Sequence, residues 1–256
     1  FTGEYPEQQA LNILKQHLKP DGHLVLAADN RFGLKYWAGA KEPHTGQYFD
    51  SLEGKATSFS KRELETILTD SGLTDYQFYY PYPERWFPMS IYSDQWLPKK
   101  GELNQNLRNF EGERMVLFDE EQVYDELIKD GRFPEFSNTY LMIAGPERKD
   151  CPVYVKYSND RAKEFMIRPD ILKTDDGCQV RKVPVSQEAK AHVTAMKHWE
   201  EVLGTQYAAA CVKVNRCELK EDAAYFEFLS GHTLEERLDD LRAQKEYGKL
   251  AEALQE

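Results

Sequence analysis

The stretch "LKPDGHLVLAADN", residues 18–30, constrains the fold more than any other: a chain that enters it as a helix must leave it as a strand. Upstream, "EYPEQQALNILKQHL" spaces Ala10, Leu11, Leu14 and Leu18 along one side of a helix, with Glu and Gln on the other. Pro20 cannot continue that helix and Gly22 suits a tight turn, so "KPDG" reverses the chain into the apolar run "HLVLAADN". Runs buried on both faces are typical of parallel sheets, and open α/β sheets bind ligands outside the carboxyl ends of their strands. The pattern therefore predicts a buried strand in an α/β sheet. Asp29, Asn30 and Arg31 then stand at a ligand-facing strand end or, alternatively, begin an ordinary turn.

The bulk composition bounds the rest. At 256 residues the chain holds one large or two ordinary domains, and 41% hydrophobic content suits a packed core. Acidic residues number 44 against 33 basic, a net charge of -11, which argues against a nucleic-acid partner because such a partner calls for a basic face. Cys151, Cys178, Cys211 and Cys217 show neither CxxC pairing nor histidines at zinc-finger spacing, so reduced thiols in the cytoplasm are expected, and no metal site. No apolar run approaches the about 18 residues of a membrane span, and no charged, apolar leader opens the chain. Both ends, Phe1 without a methionine and "KLAEALQE" within a helical pattern, read as cuts in a longer protein.

Beyond the first strand, "TSFSKRELETILTDSGL" offers Ser60 as a helix cap with Glu63 three residues on, as in a capping box, and Leu64, Ile67 and Leu68 as its apolar stripe. "TDYQFYYPYP" alternates polar and aromatic residues as a strand does. Asp119 caps a short helix that Gly131 closes, and "SNTYLMIAG" reads as a further strand. Between them, residues from about 84 to 130 form an insertion without sustained periodicity, the kind of excursion a chain keeps for function. In this order the residues resemble the carboxy-terminal half of a class I S-adenosylmethionine-dependent methyltransferase. "LKPDGHLVLAADN" stands where that family has "LKPGG" and its fifth strand, "GLTDYQFYYPYP" where it has the sixth, and "FSNTYLMIAG" where a seventh inserts antiparallel beside it. "DNRFGLKYWAGAKEPHTGQYF" and "FYYPYPERWFP" further resemble methyltransferase domains of bacterial cell-surface polysaccharide proteins.

The resemblance implies that residues 1–147 supply the acceptor side of a methyltransferase cleft, whose cofactor-holding glycine-rich loop and ribose-binding acid would precede Phe1. Asp29, Asn30, Arg31, Tyr36 and Trp37 would bind substrate. Trp86 would join them from an aromatic group with Tyr79, Tyr80, Tyr82, Phe87 and Tyr92 that can cover sugar C–H faces; packing of these rings is the other reading. Methyl transfer to a hydroxyl needs proximity and a base. His44 is the candidate base, and a surface histidine beside Pro43 is the plain alternative.

Composition changes at "GPERKDCPVY". Within residues 148–256, "PVYVKYSND", "EFMIRPDIL" and "CQVRKVPV" read as strands, the last two joined at Asp176-Gly177. "SQEAKAHVTAMKHWEEVLG" reads as a helix from Ser186 to Gly204, with Ala189, Val193, Met196 and Trp199 on one stripe. "CVKVNRCELKED" and "AAYFEFLSG" follow as strands and "HTLEERLDDLRAQ" as a helix. This order resembles the amino-terminal lobe and hinge of a protein-kinase-like fold. The resemblance implies nucleotide contacts for Lys182, an ion-pair role for Glu188 and a hinge role for Glu227, although no GxGxxG loop precedes Lys182. A solvated strand-end lysine and a first-turn glutamate favoured by the helix dipole are the plain alternative.

The expected fold is α/β, a partial Rossmann-like methyltransferase sheet, with a smaller α+β kinase-like lobe. The expected function is a fragment of a bacterial transferase that methylates a small-molecule or glycan acceptor from S-adenosylmethionine in cell-surface polysaccharide biosynthesis. Further expectations are ATP and magnesium for the second part, glycosyltransferase partners, and inactivity of the fragment alone. A non-catalytic scaffold or pseudo-kinase module, and an interaction domain without nucleotide ancestry, are the other readings.

Overall fold

The computed structural model describes residues 7–104, 114–146, 151–158, 160–175, 177–206, 214–231 and 233–254. In chain order these form α1 (Glu7–Gln16), β1 (Leu24–Asp29), α2 (Leu34–Trp37), α3 (Lys61–Asp70), β2 (Tyr76–Tyr82), β3 (Ser90–Ser93), α4 (Glu120–Lys129), α5 (Phe133–Phe136) and β4 (Thr139–Ala144). β5 (Pro152–Lys156), a 3-10 turn (Lys163–Phe165), β6 (Ile167–Thr174), β7 (Gly177–Pro184), α6 (Lys190–Gln206), β8 (Cys217–Lys220), β9 (Ala223–Glu227), α7 (Leu234–Ala243) and α8 (Tyr247–Ala253) follow. Two compact units divide between Phe226 and Glu227. In the second, Thr233 and Glu236 form a capping box at the start of α7. Among the described residues no helix is long and apolar enough to cross a membrane. The composition boundary expected at 147–148 falls on residues 147–150, outside the described ones.

Among the described residues nine strands make one antiparallel sheet, ordered β1-β4-β2-β3-β5-β6-β7-β9-β8. The expected parallel, Rossmann-like α/β sheet with a separate α+β lobe is therefore overturned. The misreading has a physical origin in β1. It is an edge strand paired only with β4, Leu24 opposite Ala144 and Asp29 opposite Thr139, and its burial alternates, leaving Val25 and Ala27 exposed. An apolar run whose outward positions are Val and Ala is hard to tell from one buried on both sides. β4 lies antiparallel between β1 and β2, and β3 joins β5 through Ser90–Lys156 and Ile91–Val155, so strands 1–4 and 5–9 share one ladder.

The aromatic run of β2 builds the main core. Phe78, Tyr80, Tyr82, Tyr92, Tyr124, Phe133 and Tyr140 are buried together, and edge-to-face pairs such as Phe78–Tyr140 (5.7 Å) and Tyr80–Phe133 (5.6 Å) join them. Tyr79, Tyr80, Tyr82 and Tyr92 are thus core residues rather than a sugar-facing surface, whereas Trp86 and Phe87 stay exposed. Pro81 is accommodated because β2 pairs with β4 only as far as Tyr79, leaving the missing N–H without a ladder partner to lose. α3 has the expected capping box: Ser60 Oγ accepts from Glu63 N and Glu63 Oε2 accepts from Ser60 N.

A second, smaller cluster packs Ile167, Val193, Cys217 and Ala224 under α6. Beside it the fully buried Asp170 carboxylate takes Arg168 at 2.8 Å and Arg181 at 2.7 Å. Ser186 caps the turn before α6 rather than its first turn, accepting from Ala189 N, and Trp199 faces solvent instead of joining the stripe. Cys178 is a half-buried thiol and Cys217 a buried one. Cys211 and Asp176 lie outside the described residues.

Candidate functional site

The carboxyl end of β1 is built by two asparagines that satisfy backbone groups from distant segments. Asn30, fully buried, donates to the carbonyls of Glu135 (2.8 Å) and Ser137 (2.7 Å) and accepts from Phe32 N. Asn138 accepts from Lys35 N at 2.9 Å and donates to Pro83 O at 3.0 Å. Asn30 spends both donors and its acceptor on the main chain, and Asn138 one of each, so both residues tie distant backbone segments together. Asn30, expected among the substrate-binding residues, is therefore placed as a staple.

Charged pairs converge on this staple. Asp29 accepts a two-bond fork from one edge of the Arg85 guanidinium, Nη2 to Oδ2 at 2.9 Å and Nε to Oδ1 at 3.3 Å, and the guanidinium stacks 4.0 Å from the Trp86 ring. Trp86 is 62% exposed. One residue before Arg85, Glu84 pairs with Lys35 at 2.6 Å, with side chains only 8% and 5% exposed. Arg114 pairs with the buried Glu120 and donates to Lys35 O. Arg31 turns away from this group to Glu63 (2.9 Å) and Ser58 O. The strand end thus presents Arg85 and Trp86 outward, with the buried Asp29 holding Arg85 from beneath.

The following loop folds back beneath it. Gly39 sits at φ 103° where a Cβ would lie 2.9 Å from Met115 Cβ, which explains the glycine of "WAGA". Glu42, 1% exposed, accepts His44 N (2.7 Å) and Thr45 N (2.8 Å) with Oε2. Its Oε1, the hydroxyl of Tyr36 and that of Ser51 are buried without a well-formed hydrogen bond among the described residues. Burial pushes the Tyr36 hydroxyl well above the usual tyrosine range, against the pull of Lys35 and with help from Asp29 and Glu42, while the nearby Ser51 hydroxyl lowers it. Tyr36 therefore stays a neutral donor under the site.

Of the residues expected from sequence, Asp29 and Trp86 meet through Arg85, and Trp37 is 44% exposed. His44 is exposed, and among the described residues nothing orients its ring. Sequence reading missed Lys35, Glu42, Ser51, Glu84, Arg85 and Asn138. The adjacency of Glu84 and Arg85 to Trp86 in "PERWF" was the available signal.

Among the residues implied for nucleotide binding, Lys182 and Glu188 have different surroundings. Lys182 Nζ lies over the Phe226 ring at 4.9 Å, and Glu188 is exposed in the turn before α6. Glu227 closes β9. Among the described residues no three His, Cys, Asp or Glu side chains come together to hold a metal ion. This chain's described residues likewise offer no glycine-rich cradle with an acid at a second strand end, so they do not fit S-adenosylmethionine, or ATP with magnesium, by themselves. No family model, curated protein or solved structure matches this chain.

Proposed function

We propose that this chain supplies the acceptor-binding side of a methyltransferase that acts from S-adenosylmethionine on a glycan or small-molecule hydroxyl in cell-surface polysaccharide synthesis. One observation carries the reading: the Asp29–Arg85 pair beneath the exposed, guanidinium-stacked ring of Trp86 at the carboxyl end of β1. A pyranose has an apolar C–H face for an indole and hydroxyls for a guanidinium, and the adjacent Arg85 and Trp86 offer both, with Asp29 fixing the guanidinium. β4 lying antiparallel beside β2 agrees with the order of strands the methyltransferase resemblance implies. The reading does not rest on a parallel sheet, which is absent among the described residues.

In this arrangement the chain's own residues bind and orient. Trp86 covers the ring face, Arg85 fixes hydroxyls, and the buried Asp29 keeps Arg85 from turning. Orientation of this kind is where methyl transfer, an in-line displacement, gains most. Trp86→Ala is expected to weaken acceptor binding by about tenfold, the scale of one lost aromatic contact, while lowering stability by no more than about 1 kcal/mol because the ring is largely solvated. Acceptor titration and urea unfolding of the variant check both halves. A loss of several kcal/mol would make Trp86 a core residue and remove it from the site.

For residues 148–256 a second reading is favoured by one observation: Lys182 lies on Phe226 rather than against Glu188. A non-catalytic, pseudo-kinase-like or scaffolding role that positions partner enzymes, glycosyltransferases among them, needs no such ion pair.

A further inference from the structure

A second polar hollow lies on the sheet where its two groups of strands join. Tyr82 of β2 pairs with Ser90 of β3, and Ser90 pairs in turn with Lys156 of β5. Residues two apart in a strand share a face, so Ser90 and Tyr92 rise beside Tyr154 and Lys156. With Tyr82, Met89, Glu102 and Asn104 they line a cavity of 210 Å³. The Tyr92 and Tyr154 rings stand 5.1 Å apart, inclined by 51°.

The chemistry of the lining restricts the occupant. The volume is below the about 300 Å³ at which sites for drug-sized ligands begin, which leaves room for one ring. A purely apolar ligand would desolvate Glu102 and Lys156 without replacing their hydrogen bonds. A phosphate would meet Lys156 but also the Glu102 carboxylate, whose like charge opposes it. Hydroxyls both donate and accept, and so satisfy a carboxylate, an ammonium and a carboxamide together, while tyrosine planes cover C–H faces. Burial pushes the Tyr154 hydroxyl up to about 12 and that of Tyr92 higher still, so both remain protonated donors at neutral pH.

We propose that this cavity binds one neutral sugar ring, or a polyol of like size, with the half-buried Tyr154 against its C–H face and Glu102, Asn104 and Lys156 on its hydroxyls. The site is separate from the Trp86 surface and its assignment goes beyond methyl transfer, since a sugar-holding hollow serves a binding module as well as an enzyme. It sits on the β3–β5 junction, where Ser93 Oγ also donates to Val153 O at 2.7 Å, so an occupant would bridge both groups of strands.

Saturation-transfer NMR on the 256-residue chain, with the methyl glycosides of glucose, galactose and mannose as probes, tests the assignment. At least one glycoside is expected to bind with a millimolar Kd, about tenfold more weakly in Glu102→Gln and in Asn104→Ala, the scale of one charge-assisted hydrogen bond. Both side chains are exposed, so these variants keep the fold. Tyr154→Phe is expected to retain most of the binding and Tyr154→Ala to lose it. Transfer from none of the three glycosides, or binding unchanged in Glu102→Gln and Asn104→Ala, would overturn the proposal, as would inorganic phosphate binding in their place. Methyl transfer is not read here: a bound glycoside without a methylated product in the native protein would keep this site and discard the transferase reading.

Discussion

Glu84→Leu is expected to lower stability by about 3 to 5 kcal/mol, one of the largest single losses available in this chain. Glu84 and Lys35 meet at 2.6 Å with both side chains almost fully buried, so removing the carboxylate leaves an ammonium group in a site that water does not reach. The cost lies in a buried charge deprived of this carboxylate more than in the lost attraction. Lys35→Met combined with Glu84→Leu is therefore expected to recover most of the loss, because two apolar chains of similar length can pack where the ions were. Urea unfolding of the two singles and the double measures this as a cycle. A single-variant loss under about 1 kcal/mol would show that the pair is solvated.

Raising the pH above 10 is expected to unfold the protein in one cooperative step rather than ionise its tyrosines one by one. Tyr36, Tyr80, Tyr92, Tyr124 and Tyr140 are each 0–1% exposed, and burial raises every one of these hydroxyls above its ordinary value of 10.0. Asp94, which accepts from the Tyr80 hydroxyl, adds to that shift. The sign follows from proton counting: above pH 10 the unfolded chain loses protons that the folded chain keeps, so stability is intact below that pH and falls as pH rises. At about 1.4 kcal/mol per tyrosine per pH unit, five such groups remove about 7 kcal/mol by pH 11, comparable to the whole stability of a typical domain. Phenolate absorbance and circular dichroism should then change together. Gradual ionisation without loss of structure would mean that the aromatic core admits water.

Local chemistry was legible in the sequence and long-range pairing was not. The Ser60–Glu63 capping box, the Asp119 cap and the β6–β7 hairpin each depend on neighbours a few residues apart, and each forms. The edge position of β1 depends on β4, more than a hundred residues later, and nothing in "HLVLAADN" says that one of its sides is left unpaired. The pairing of β3 with β5 rests on two residue pairs across a stretch without periodicity. At the site, Asp29 stood out because it ends a strand, but its partner Arg85 is 56 residues away, and in the layer below Glu84 is 49 residues from Lys35. Aromatic density alone could not separate Trp86, which is solvated, from Tyr36, which is buried, since burial is decided by which elements close over a ring.

The most direct test of the acceptor-side assignment is transfer of a labelled methyl group from S-adenosylmethionine to cell-surface glycan by the native protein that contains this chain, compared with its Arg85→Met variant. Arg85 is the residue that joins Asp29 to Trp86. The expected result is labelled glycan from the wild type, with a raised acceptor KM and an unchanged affinity for S-adenosylmethionine in the variant. Absence of labelled glycan with the wild type, or equal acceptor KM in both proteins, would contradict the assignment and leave this strand end a structural feature of a binding or scaffolding module.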